Sequence, residues 1–453
     1  MTSDASDGVA TDGGTAADEQ SPLAAVWEED LVKIGVLLAG IYLAYLLVGV
    51  LLDYGVRGQL NSVATLTFYV ALFALLSLAL NLHWGYTGLF NIGIVGFMAV
   101  GIYVMAVVSK APATEAAAGS VGGLGLPLWV GVIAGTVAAG LLGLVVALPA
   151  LRLRADYLAI VTVATSEMVR FTFLSGTFER FEVGDLVIGF GGGSGLLLDF
   201  GSPVEALFDA LFLSAVHDAF VGLVGAVIEN NPRPVANSLL YGGLLLVAVA
   251  VYYLVLTRLG NSPFGRVLKA IREDEDAANA LGKDTNAFKT KAFVVGCALM
   301  GLGGILWYMT SGAITPNTYR PRLTFFIWIA LIIGGAGSNT GSVMGGALFA
   351  AVLFQGPRFL QSVVANFVEV EAPSSFGQAL APISASGDLV PLGFYVLDSV
   401  RQLQLIVMGL VLIFLMHRRP EGLLGHRKEP AAGVRLDRRG GDSAYTDGGE
   451  TDE

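Results

Sequence analysis

Glu167 and Arg170 stand three residues apart inside an apolar run, a spacing that lets a carboxylate and a guanidinium meet on one helix face. Ionisable groups within a membrane span are costly and face protein or water. The pair therefore either lines a path and orients a zwitterion, or holds two helices together as a structural ion pair. The second reading is favoured, because an internally paired ion has little left for a ligand. A second charged set, Glu273-Asp274-Glu275-Asp276, precedes Ala277-Ala278 and Gly282. Beyond these the chemistry is sparse. His83, His217, His417 and His426 have no metal-ligand spacing, so no metal site is expected. The single cysteine, Cys297, lies in an apolar run and reads as packing; it excludes an internal disulfide and a cysteine zinc cluster. The only Gly-Lys step, Gly282-Lys283, is followed by Asp284, so nothing here should hold nucleotide phosphates. No nucleophile and base set is visible. The chain is not expected to be an enzyme or to bind a cofactor of its own.

The elements that carry these residues must be membrane-spanning helices. Of the 453 residues 54% are apolar and 14% charged, with a mean hydropathy of +0.69; a soluble domain has about 25% charged residues. Apolar runs near twenty residues recur along the chain, and only repeated spanning helices need them. The expected fold is an all-α polytopic membrane protein with ten spans, at 31–52, 60–83, 88–108, 126–150, 155–176, 236–257, 289–311, 323–338, 341–366 and 391–416. Lys and Arg in the short loops set the orientation. Arg152 and Arg154, the group from Arg258 to Lys291, and Arg418, Arg419, Arg427 and Lys428 all fall on one side, which is cytoplasmic and holds both termini. The chain is thus expected in the cell membrane. Arg57, Arg180, Arg233, Arg320 and Arg322 then face outward, against the trend. Two outer segments are long. Within 177–235 the stretch from Val204 to Ile228 reads as an interfacial or re-entrant helix rather than a span, and 367–390 reads as a loop rich in Ser, Pro and Ala.

The formal net charge is −11, and the acids are uneven. Residues 1–30 and 426–453 lack the apolar area to fold and are expected to be disordered tails flanking a membrane domain over 31–425. The acidic excess suits a high-salt cytoplasm, as in a halophilic archaeon; a regulatory tail is the rival reading. With no basic region before an apolar core, the N-terminus does not read as a signal peptide.

The charged segment within the cytoplasmic loop 258–291 reads as one helix over 262–282, capped by Ser262, started by Pro263 and stopped by Gly282. Its Asp-Ala-Ala-x-x-x-Gly centre resembles the coupling loop of importer-type ABC permeases, a short helix that rests in a groove of a cytoplasmic ATPase. The longer run from Gly265 to Glu275 resembles the second-type permease of branched-chain amino acid importers. The resemblance makes Glu275, Asp276, Ala277, Ala278 and Gly282 the ATPase-contacting candidates.

Four further stretches carry the same resemblance. Asn81, Gly85, Tyr86, Gly88 and Gly93 match the family's Asn-x-x-x-Gly-Tyr-x-Gly-x-x-x-x-Gly, with Ile94 where the family usually has His or Gln. Arg152-Leu153-Arg154-Ala155-Asp156-Tyr157-Leu158-Ala159-Ile160-Val161-Thr162, followed by Glu167 and Arg170, is similar to a second signature. Gly334-Gly335-Ala336-Gly337-Ser338-Asn339-Thr340-Gly341 resembles a third, and Arg419-Pro420-Glu421-Gly422 the usual ending. Glycines and amides that interrupt an apolar run expose backbone only where it faces a cavity or another helix. Asn81, Tyr86, Asn91, Thr162 and Glu167 are accordingly the candidates for a translocation path, with close helix packing as the alternative for the glycines.

The resemblance implies the permease subunit of an ATP-driven importer for leucine, isoleucine and valine. It implies as partners a homologous second permease, two cytoplasmic ATPases that bind ATP and Mg, and an external substrate-binding protein. A related importer of urea or short amides is the first alternative. An ion-coupled carrier or a channel would be of another class.

Overall fold

The computed structural model describes residues 22–113, 121–152, 155–184, 186–198, 200–367, 373–419 and 421–423. Of the expected tails at 1–30 and 426–453, residues 1–21 and 426–453 lie outside them, as do Arg154 and Pro420. The helices follow in order: α1 (Pro22–Leu51), α2 (Val56–Asn81), α3 (Ile94–Ser109), α4 (Leu128–Ala150), α5 (Ala155–Leu174), α6 (Pro203–Ala210), α7 (Ser214–Gly225) and α8 (Arg233–Gly260). Then come α9 (Pro263–Glu273), α10 (Glu275–Ala280), α11 (Thr285–Tyr308), α12 (Pro321–Gly334), α13 (Asn339–Leu348), α14 (Gly356–Phe367), α15 (Phe376–Ser386), α16 (Val390–Asp398) and α17 (Val400–Arg418). The chain is an all-α polytopic membrane protein. Four strands of two or three residues, β1 (Phe181–Val183), β2 (Leu186–Ile188), β3 (Leu196–Leu197) and β4 (Ala313–Ile314), form two antiparallel pairs; β3 with β4 pins the loop after α5 to the loop after α11.

Among the described residues seven helices are long and apolar enough to cross a membrane. Two of the ten expected spans are shorter than a full crossing, and a third is divided. The break at 82–93 confines the 88–108 run to α3, with 16 residues. Gly335 and Gly337, at φ +103° and +94°, stop α12 after 14 residues, about 21 Å of helix against a hydrocarbon core of about 30 Å. The 391–416 run is divided at Ser399 into α16 and α17. At the other end, α1 begins at Pro22 and takes in residues expected in the acidic tail. Apart from Pro22 at its start no proline interrupts this stretch, and Ala and Glu favour helix.

Helix α2 is apolar all round and lies at the centre, with the side chains from Ala71 to Leu80 buried. It packs against α8, α11, α12 and α13. Around it the helices approach through small residues. A Cβ on Gly101 of α3 would stand 2.4 Å from Gly301 O of α11, and one on Gly135 of α4 would stand 2.2 Å from Gly101 O. Close backbone approach of this kind is what drives helix association where lipid is as apolar as the side chains. The outer residues of α1 and α4, such as Val36, Val50 and Val145, stay exposed and face the apolar surroundings.

The stretch from Val204 to Ile228 forms α6 and α7, of 8 and 12 residues, too short to span. They turn at Phe212, which has φ +57° and is 94% exposed. A polar clasp holds them to α8. Asn237 Nδ2 donates to Glu205 Oε1 at 2.9 Å, and His217 Nε2 meets Asn237 Oδ1 at 2.8 Å.

Candidate functional site

Where α2 ends, the helix widens into a π-turn at Leu82–Tyr86, and the chain runs on through 87–93 before α3 starts. Broken backbone in a membrane core needs partners, and the nearby polar side chains supply them. Asn81 Oδ1 accepts from Gly337 N at 2.8 Å, and its Nδ2 donates to Asn339 Oδ1 at 3.0 Å. Asn339 Nδ2 in turn donates to Thr257 Oγ1 at 3.0 Å. One amide thus joins α2 to the loop after α12, to α13 and, through Asn339, to α8. Asn91 Oδ1 accepts from Gly93 N at 2.8 Å, and its Nδ2 faces His83 Nδ1 at 3.2 Å. With that donor on Nδ1, His83 carries its proton on Nε2 and donates to Phe293 O at 3.0 Å. Thr162 Oγ1 accepts from Ile92 N and donates to Ala159 O, both at 3.0 Å. Tyr86 is fully buried, with Lys269 Nζ 5.3 Å from its ring centroid.

Four of the five path candidates, Asn81, Tyr86, Asn91 and Thr162, are therefore buried, and none of them lines the cavities that flank α12. The polar atoms of Asn81, Asn91 and Thr162 serve the interrupted backbone. Glu167 is the exception, 28% exposed, and the expected pair forms: Arg170 Nε stands 3.1 and 3.0 Å from its two carboxylate oxygens, and Nη2 stands 2.5 Å from Oε2. Arg170 Nη1 continues to Asn317 Oδ1 at 3.3 Å, which ties α5 to the loop before α12.

The charged segment 262–282 is two helices, not one. Ser262 Oγ accepts from Gly265 N at 3.2 Å and starts α9 as expected. Asp274 breaks the run at φ −157°, ψ 105°, because its carboxylate caps α10 by accepting from Ala277 N at 2.9 Å. Gly282, at φ +75°, closes α10 with its N–H to Asn279 O and the Lys283 N–H to Ala278 O. The resulting elbow has a defined outer face. Asp276, Ala277 and Gly282 are exposed, and Leu281 is 79% exposed. Ala278, also expected to contact an ATPase, is turned inward and only 4% exposed. Glu275 spends its carboxylate within the chain, accepting from Lys289 Nζ at 2.5 Å and Thr285 Oγ1 at 3.1 Å. Leu281 and Lys289 were not singled out by local pattern. The one would pass for part of a buried helix face, and the other is an ordinary loop cation until α11 folds back on α10.

The elbow abuts the break in α2. Arg272 Nη1 donates to Gly85 O, and its side chain also packs on Gly88. Gly85 in turn touches the loop after α12, where a Cβ on it would stand 2.6 Å from Gly337 N. The chain beyond α17 returns to the same place. Gly422 packs on Gly335, and Leu423 N donates to Ile333 O at 2.9 Å.

Two cavities flank α12. The inner one, the nearer to the elbow, has a volume of about 960 Å³ and is walled by Trp84, Phe90 and Trp328, with Arg272 and Glu421 at its elbow end. These rings form a cluster, with centroids 5.2 Å apart for Trp84 and Phe90 and 4.9 Å for Phe90 and Trp328. The outer one, of about 370 Å³, lies farther from the elbow, between the middle of α2, the C-terminal end of α11 and the N-terminal end of α12.

Comparison with known proteins adds to this geometry. The family described as branched-chain amino acid transport system, permease component, matches residues 62–416. The high-affinity branched-chain amino acid transport system permease protein LivM of Escherichia coli is 31% identical over 297 residues, 64% of this chain and 62% of that protein. A probable branched-chain amino acid transport permease protein LivM of Methanocaldococcus jannaschii is 27% identical over 310 residues, 63% of this chain and 79% of the relative. The chain thus spans less than two thirds of the length of the Escherichia coli relative. No solved structure matches.

Proposed function

Because this chain belongs to the branched-chain amino acid transport permease family, we propose that it is the transmembrane permease subunit of an ATP-driven importer for leucine, isoleucine and valine. A homologous second permease would complete the pore, two cytoplasmic ATPases would hydrolyse ATP with Mg, and an external binding protein would deliver substrate. Both termini would be cytoplasmic, flanking the membrane domain, and the acidic excess would suit a high-salt cytoplasm.

The observation that carries this reading is the contact of the elbow with the broken end of α2. Asp276, Ala277, Leu281 and Gly282 present a face of small, acidic and apolar groups toward the side that Lys and Arg mark as cytoplasmic. An ATPase that closed on this face would move α10 together with α11, because Glu275 is tied to Lys289, and would carry α9 with them through Asp274, which ends α9 and caps α10. Arg272 would pass the displacement to Gly85, and Gly85 to Gly337 at the end of α12. The elbow is thus placed to rock α12, the short helix between the two cavities, and so to exchange access between the sides.

The test is reconstitution of the complex in proteoliposomes with leucine-loaded binding protein. Leucine uptake should require internal or external ATP on the ATPase side and persist in the presence of an uncoupler. Uptake that survives ATP depletion but collapses with the uncoupler would instead identify an ion-coupled carrier.

A further inference from the structure

The guanidinium groups that face outward against the positive-inside trend are not equivalent. Arg57 donates to Asn230 O at 3.1 Å, and Arg233 stands 3.7 Å from Asp218. Arg320 and Arg322 have no carboxylate within 4.0 Å among the described residues. Arg320 Nη2 reaches only the amide oxygen of Asn317, at 3.4 Å, and Arg322 lies over the ring of Phe326 at 5.2 Å. Both stand on the outer cavity, whose walls are aromatic. Tyr69 and Phe354 face one another there with centroids 5.0 Å apart, and Trp307 stacks on Tyr308 at 5.8 Å. Two positive charges are thus set against an apolar, aromatic floor with no carboxylate among the described residues to neutralise them.

We propose that this outer cavity receives the carboxylate end of a small amphiphilic carboxylate, an α-amino acid with an aliphatic side chain, before it crosses. The inference rests on reading the chain as an importer subunit and adds where and how the substrate is held. Guanidinium groups match carboxylates in shape and charge. The N-terminal end of α12 opens at the same place and adds positive potential. The aromatic faces accept a branched hydrocarbon and, through their π-clouds, an ammonium group. A volume of about 370 Å³ suits a small molecule. Exposure of Arg320 and Arg322 keeps the contact weak, as transit requires. Leu323 and Phe326 turn to this cavity, whereas Phe325, Trp328 and Ile329 on the same helix turn to the inner one. A shift of α12 would therefore hand the substrate from one to the other.

The test uses the complete transporter in proteoliposomes with leucine-loaded binding protein. In the double variant Arg320→Gln/Arg322→Gln, stimulation of ATP hydrolysis by loaded binding protein should stay within about twofold of wild type. Leucine moved per ATP should fall at least about tenfold, the scale of losing a charge-assisted contact, and Arg320→Lys/Arg322→Lys should recover part of it. Unchanged leucine transport in the double Gln variant overturns the proposal. A wild-type complex that moves no leucine at all would fail the importer reading instead. For that case, or if the double variant does not assemble, Thr318→Cys provides a readout independent of transport, since the native Cys297 is buried. A membrane-impermeant thiol reagent should label Thr318→Cys more slowly with leucine present and at an unchanged rate with leucinamide. Equal rates with and without leucine overturn the proposal.

Discussion

Lys289, early in α11, meets Glu275 in the first turn of α10 with Nζ 2.5 Å from Oε1. The lysine side chain is 9% exposed and the glutamate 42%. One ion pair therefore straps the elbow of α9 and α10 to a membrane-crossing helix. Water at Glu275 limits the stability of the pair to about 1 kcal/mol, but its position makes it mechanical. Lys289→Met should leave assembly with the ATPases intact and lower leucine moved per ATP several-fold, read from parallel uptake and hydrolysis assays. Unchanged coupling would show that the elbow and α11 move as one without the strap.

The exposed face of the elbow and its buried side should respond differently. Ala277→Arg and Leu281→Arg should abolish co-purification of the ATPases while the protein still reaches the membrane in normal amount. Ala278→Arg, at a site 4% exposed, should lower the amount of folded protein itself. Intact co-purification of both Ala277→Arg and Leu281→Arg would place the ATPase contact elsewhere.

Asn81 is assigned to architecture. Asn81→Ala leaves the Gly337 N–H and the Asn339 carbonyl oxygen without their partner inside the membrane domain. The cost should be about 2–6 kcal/mol, from one to three for each of the two buried polar groups left unpaired. Folded yield and thermal stability in detergent should drop, with leucine affinity per folded molecule unchanged. Normal stability with weakened transport would return Asn81 to the path.

Glu167→Gln tests the ion pair in the same way. Arg170 is 11% exposed and would keep only Asn317 as a firm partner. Thermal stability should fall by about 1 kcal/mol or more, and the half-saturating leucine concentration should not change. A selective rise in that concentration would mean that Glu167 meets substrate.

Much of the fold was legible in apolar periodicity. The cap at Ser262 and the stop at Gly282 followed from local chemistry, and both appear in the structure. The break at Asp274 was hidden because an aspartate within a charged run reads as a solvated face, although the same carboxylate can cap a new helix. Asn81 was legible as unusual but not as structural, since Asn339, which completes its hydrogen bonds, is 258 residues away. Arg320 and Arg322 stood out only as cations on the wrong side. Their setting appears once Tyr69, Trp307 and Phe354, from three distant segments, gather beneath them.

The central claim is most directly tested by uptake of labelled leucine, with labelled urea beside it, in cells lacking only this chain. Leucine uptake should fall to background, return when the chain is supplied in trans, and leave urea uptake unchanged. Undiminished leucine uptake, or loss of urea uptake alone, would contradict the assignment to branched-chain amino acid import.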